Sequence, residues 1–133
     1  MRRIFTLAAL AALAACNNSQ PQKDQTIRVV SDEQKQLHQL DAFNLAIGLK
    51  RAIYDAGYSC KRITDAGYVG TWKNLDMWVA HCVYDKGPAV DWAVFAGPDG
   101  GAQVRNCKDI TADSGLPDCK ISERPKGSFT DMK

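Results

Sequence analysis

Four cysteines, Cys60, Cys82, Cys107 and Cys119, limit what this chain can fold into more than any other feature. An even count in a small exported chain reads as a disulfide framework, here two bridges with three possible connectivities. The favoured pairing is Cys60 with Cys82 and Cys107 with Cys119. The second bridge would staple a loop holding Gly115 and Pro117, too irregular to hold itself by strand or helix bonds. On the chain-entropy model, closing loops of this size contributes about 3 kcal/mol per bridge. Spacings of 22, 25 and 12 contain no Cys-x-x-Cys, which argues against zinc and thiol redox chemistry. A fifth cysteine, Cys16, makes the total odd, and a leftover thiol in an exported chain needs a partner or a modification.

The N-terminus supplies the export signal. Arg2 and Arg3 precede Ile4, Phe5, Thr6, Leu7 and an Ala/Leu run, a positive region followed by an apolar one. Asn17 and Asn18 end that run well short of the ~20 apolar residues that a spanning helix needs. The segment Leu13-Ala14-Ala15-Cys16 resembles the lipobox of bacterial lipoproteins, a likeness confined to residues 1–16. That resemblance implies diacylglycerol on the Cys16 sulfur, cleavage before Cys16 and membrane anchoring by lipid, with residues 1–15 removed as signal peptide. In lipoproteins of Gram-negative type an Asp directly after the Cys often marks inner-membrane retention. Asn17 stands there, so the resemblance points to an outer-membrane anchor facing the periplasm.

Losing the signal changes the charge argument. The chain has 17 Lys plus Arg against 15 Asp plus Glu, and without Arg2 and Arg3 the mature form is balanced. A balanced domain with no basic cluster is not a nucleic-acid binder by composition. The 118 residues that remain suffice for one domain with one modest core. Residues 16–26 read as the lipidated cysteine and a flexible polar tether, residues 27–119 as the domain, and residues 120–133, poor in apolar side chains, as a mobile tail. Nothing in the sequence sets an oligomeric state.

The domain reads as α+β: one long N-terminal helix packed on a four-stranded antiparallel meander, with two disulfides. A β-branched stretch at 26–30 would add a short edge strand. Ser31 with Gln34 matches a capping box, Asp32 and Glu33 suit the first turn, and Gly57 suits the stop. Between them Ala42, Leu45, Ala46, Leu49, Ala52, Ile53 and Ala56 repeat at helical spacing, so one helix of about 25 residues is expected to cover the sheet. From residue 58 the period changes to that of strands. The runs 60–72, 76–85, 89–96 and 102–107 are separated by Lys73-Asn74-Leu75, by Asp85 to Ala89 and by Gly97-Pro98-Asp99-Gly100-Gly101.

Alternation then sorts the side chains. Trp78, Ala80, Cys82, Tyr84, Val90, Trp92, Val94 and Val104 share the face under the helix, with Tyr84 opposite Val90, Cys82 opposite Trp92 and Val94 opposite Val104. Met77, Val79, His81, Val83, Phe95 and Arg105 fall on the other face. If no segment covers it, that face is an exposed patch of the kind that binds a partner, such as an envelope protein; the alternative is that a loop or the C-terminal segment folds over it.

Chemistry is sparse. His81 and Cys82 are neighbours on a strand and point to opposite faces, so they cannot pair as base and nucleophile. His38 lies early in the helix and is expected in solvent. Asp109, Asp113 and Asp118 lack the one-three-five spacing of a calcium loop. No catalytic residue, metal ligand or cofactor motif is assigned. The Trp78-x-x-x-Cys82 strand and the Val104-Arg105-x-Cys107 strand after a helix resemble small uncharacterised disulfide-bonded lipoproteins of proteobacteria. The helix-then-strands order is similar to PepSY-type inhibitory or binding modules, in topology alone. The preferred reading is a non-catalytic binding or inhibitory module. Its alternatives are an envelope enzyme using carboxylates such as Asp91 and Asp99, and a structural lipoprotein spacing envelope layers.

Overall fold

The computed structural model describes residues 30–130, so Cys16, the signal, the tether and most of the suggested 26–30 strand lie outside the described residues. Two helices, α1 (Asp32–Gln39) and α2 (Ala42–Asp55), precede strands β1 (Arg62–Trp72), β2 (Leu75–Val83), β3 (Val90–Ala96) and β4 (Ala102–Asn106), then two short 3-10 turns. The strands form one antiparallel sheet in the order β1-β2-β3-β4. The class is α+β, with two disulfides.

The single long helix is corrected to two. Leu40 is extended at φ −69°, ψ 141°, and Asp41 is extended too, its carboxylate accepting from the backbone N–H and the side-chain amide of Asn44. An aspartate that satisfies the free N–H groups of a new first turn starts a helix rather than continuing one. The capping box at Ser31 and Gln34 is formed, and Gln34 does more than cap. Fully buried, it donates to Asn74 O at 3.0 Å and Ala96 O at 3.1 Å, tying α1 to the β1–β2 turn and the end of β3. At the far end Gly57 takes φ 88°, and the amides of Gly57 and Tyr58 bond back to Tyr54 O and Ile53 O. This is a Schellman stop, which favours glycine because a side chain there would be strained.

Leu45, Leu49 and Ile53 of α2 bury fully on the face carrying Trp78, Ala80, Cys82, Trp92 and Val94, with Tyr84, Val90 and Val104 at its margin. Each such aliphatic side chain contributes roughly 1.5–3 kcal/mol on leaving water. Cys60–Cys82 lies inside this layer. Val94 faces Val104, but Cys82 faces Val90 and Ala80 faces Trp92. The expected β2–β3 register is therefore two residues out: the last pair is Cys82 with Val90, so residues 83–89 rather than 85–89 lie between partners, and the extra length is all on the β2 side. A shift of two preserves the face of every side chain, so the core composition survives it.

The opposite face is closed as well, which corrects its reading as a partner surface. Met77, Val79, Ala93 and Phe95 are buried under Val69, Leu75, Cys107, Ile110, Leu116, Cys119 and Ile121. The loop stapled by Cys107–Cys119 is the lid. His81 and Val83 are half-buried at the rim, and Arg105 is exposed.

Residues 120–130 are also corrected, from mobile tail to docked strap. The strap bridges Tyr68 through Glu123, and the Ser122 and Glu123 amides donate to Tyr68 O while Tyr68 N donates to Glu123 O. Arg124 forks onto Asp65, Lys126 O accepts from Ala42 N, and Phe129 packs on the helix-side core. It runs along β1, an edge strand with its register shifted between Tyr68 and Gly70. Covering an edge in this way removes a row of unpaired backbone groups.

Candidate functional site

The helix break and the strap together create a cleft of about 450 Å³, lined by Leu37 to Asp41, Tyr68, Trp78 and Glu123 to Lys126. That volume falls in the range of small-ligand sites. Its floor is a cross-strand aromatic pair, Tyr68 opposite Trp78, with ring centroids 5.3 Å apart. The last turn of α1 lays the His38 ring against both, 4.6 Å from Tyr68 and 4.9 Å from Trp78.

Beneath the imidazole lies Asp76, the first polar side chain of β2 and fully buried. His38 Nε2 is 3.2 Å from Asp76 Oδ2, while about a third of the histidine side chain, 32%, stays accessible. His38 thus reaches solvent as expected, but its ring is held in place by a buried carboxylate. With Nε2 committed to Asp76, Nδ1 is the ring nitrogen left for a ligand. Trp78 Nε1 is buried with no hydrogen-bond partner among the described residues, an uncommon condition for an indole. Asp41, Glu123 and Lys126 give the rim both signs of charge.

The strap side is fixed by electrostatics. Arg124 Nε and Nη2 donate to Asp65 at 3.0 and 2.8 Å, a two-pronged contact. The Arg124 hydrogen bond is the main reason the Asp65 carboxyl sits below its ordinary range; partial burial opposes it, and the charges of Arg124 and His81 add to it. The same pairing pushes Arg124 upward.

The other sequence-level candidates do not converge on this cleft. His81 Nδ1 pairs with Asp91 on the far side of the sheet, and Asp65 faces His81 across the β1–β2 ladder. Asp91 lies at the start of β3 and Asp99 in the turn beyond its far end, with a strand of roughly 20 Å between them, so they form no catalytic pair. Asp99 instead closes the hairpin by accepting from Gly101 N. Among the described residues no group of three or more His, Cys, Asp or Glu side chains is placed to hold a metal ion, and no helix is long and apolar enough to cross a membrane. The His38–Asp76 pair was missed by sequence reasoning because 38 positions separate the two. The one available signal was an Asp near the start of a strand whose next four residues, Met77 to Ala80, are all apolar.

Chemically, the cleft offers a positioned imidazole, aromatic walls and a mixed-charge rim. None of its lining residues is a serine, threonine or cysteine for that imidazole to activate. No protein-family model, curated protein or solved structure matches this chain.

Proposed function

We propose that this chain is an envelope lipoprotein, anchored by lipid on Cys16 and facing the periplasm from the outer membrane, whose domain is a non-catalytic binding module. The sheet face first considered for the partner is closed, so the reading moves to the cleft. The observation that carries it is the His38 ring, seated on Tyr68 and Trp78 and tied to buried Asp76. A buried carboxylate costs stability unless it is partnered, and its retention under an accessible imidazole favours recognition through that ring. The anchoring half of the reading is supported by Leu13-Ala14-Ala15-Cys16 and by the odd cysteine that lipidation accounts for.

Photocrosslinking in the native envelope tests this. A crosslinker at Gln39, on the cleft, captures a component that one at Asp113, in the disulfide loop, does not, and His38→Ala removes that capture. Equal capture from both positions argues against the cleft as the binding site.

A further inference from the structure

The exposed large apolar side chains among the described residues are Val30, Phe43, Ile47, Tyr54 and Tyr58. Three of them belong to α2, and their spacing is not random. At 3.6 residues per turn, Phe43, Ile47 and Tyr54 fall within about 40° of one another. Each has about half its surface in water, at 54%, 52% and 51%, while Leu45, Leu49 and Ile53 occupy the core side of the same helix. The helix therefore has two apolar faces and only one is used by the fold.

Basic groups accompany the second face. Lys50 lies in the stripe and donates to Lys61 O at 2.8 Å, a carbonyl rather than a carboxylate, with its ammonium 6.0 Å from the Tyr54 ring. Arg51 borders the stripe with only a long 3.9 Å contact to Asp55, and Lys61 meets Asp85 at 3.3 Å. Between residues 42 and 62 four basic side chains stand against the single acid Asp55, in a mature chain whose charges balance as a whole. Aromatic and aliphatic side chains in one stripe, with cations beside them, are the composition of a helix that lies in a membrane interface.

The chain outside the described residues puts such a surface within reach. From Cys16 to Ser31 the backbone spans at most about 50 Å, and α2 is only about 21 Å long. We infer that the outer face of α2 docks on the bilayer that holds the Cys16 lipid. Phe43, Ile47 and Tyr54 sit at the headgroup boundary, and Lys50 and Arg51 meet anionic headgroups. The inference rests on the lipoprotein reading and adds a second contact, which would fix the orientation of the domain rather than leave it free on a tether.

The test uses the full processed chain, reconstituted in vesicles of phosphatidylethanolamine and phosphatidylglycerol containing a phospholipid with a diazirine in its acyl chain. Intact mass reads the lipid on Cys16, and peptide mapping reads where the diazirine has inserted. Adducts concentrated on residues 43–54, reduced about tenfold or more by joint Phe43→Ser and Ile47→Ser substitution with the Cys16 lipid intact, support the inference. Both positions are exposed, so folding is retained, and an unchanged circular dichroism spectrum verifies it. A lipidated chain without adducts on α2 overturns the inference and leaves the anchor standing, as does protection of the stripe by a second copy, read as a dimer on sizing. Absence of lipid mass overturns the anchor, and with it the inference unless the α2 adducts persist.

Discussion

The two faces of the sheet are closed by different physics. The helix side is a packed layer in which Leu45, Leu49, Ile53 and the Cys60–Cys82 bridge are fully buried. On the other side four buried strand residues lie under a loop with two short 3-10 turns, whose own apolar contribution is Ile110, Leu116 and a half-buried bridge, with Ile121 added by the strap. A helix holds its shape through its own ladder of hydrogen bonds. This loop is held closed by Cys107–Cys119, and its neighbour, the strap, by a few backbone bonds to Tyr68 and Ala42, one ion pair and the packing of Phe129. The difference predicts a core that unfolds globally on one side and a cover that can open locally on the other.

The sharpest way to break the comparison is to place a charge under the loop. Phe95→Asp buries a carboxylate in a site lined by Met77, Val79 and Ile121, and is expected to cost more than about 4 kcal/mol in urea unfolding. Arg105→Ala, on an exposed position of the neighbouring strand, stays within about 0.5 kcal/mol. Equal, small effects would mean that the loop does not cover this face.

Opening the staple should cost less and act on one side only. Joint Cys107→Ser and Cys119→Ser substitution is expected to lower stability by about 2–3 kcal/mol. It should also raise binding of a hydrophobic dye as Met77 and Phe95 become accessible, with near-ultraviolet dichroism from Trp92 and Tyr58 unchanged. Smaller again is Gly67→Ala. A Cβ there would collide with Glu123 O and Ile121 Cγ2, so the strap must move away from β1. The expected loss is about 1–3 kcal/mol. The cleft opens on its Glu123 to Lys126 side, and capture from Gln39 falls with it.

The mildest perturbation is acid. Asp65 is held below its ordinary value, so its pairing with Arg124 contributes fully at neutral pH. That contribution is lost as pH falls below about 4 and through the lowered value. An NMR titration should show the Tyr68 and Glu123 amides shifting together below pH 4. Arg124→Gln should move that step up toward the ordinary aspartate range. Both partners are well exposed, so global stability changes little.

These contrasts also mark what could be read in advance. The helix-side face was legible because it repeats: Trp78, Ala80 and Cys82 alternate, Leu45, Leu49 and Ile53 recur at helical spacing, and local signals at Ser31, Gly57 and the 97–101 turn set the element ends. The Cys107–Cys119 bridge followed from the composition of its loop. The helix break at Leu40–Asp41 was hidden because apolar spacing continues across it and Asp41 suits a polar stripe as well as a cap. The lid, the strap and the His38–Asp76 pair have no period to read. The strap and the His38–Asp76 pair depend on contacts at least 38 residues apart, such as Asp65 with Arg124, and a segment such as KISERPKGSFT, residues 120–130, holds on through Ile121, Phe129 and backbone bonds rather than through bulk hydrophobicity.

Accessibility of the Met77–Phe95 face tests the central claim most directly. With a soluble paramagnetic agent and the oxidised, unlipidated chain in the absence of membrane, the Met77 methyl and Phe95 ring signals should stay sharp while those of Phe43 and Ile47 broaden strongly. Broadening of Met77 and Phe95 to the level of Phe43 would contradict the account: the second face would then be open, and the partner surface would belong there rather than in the cleft beside His38.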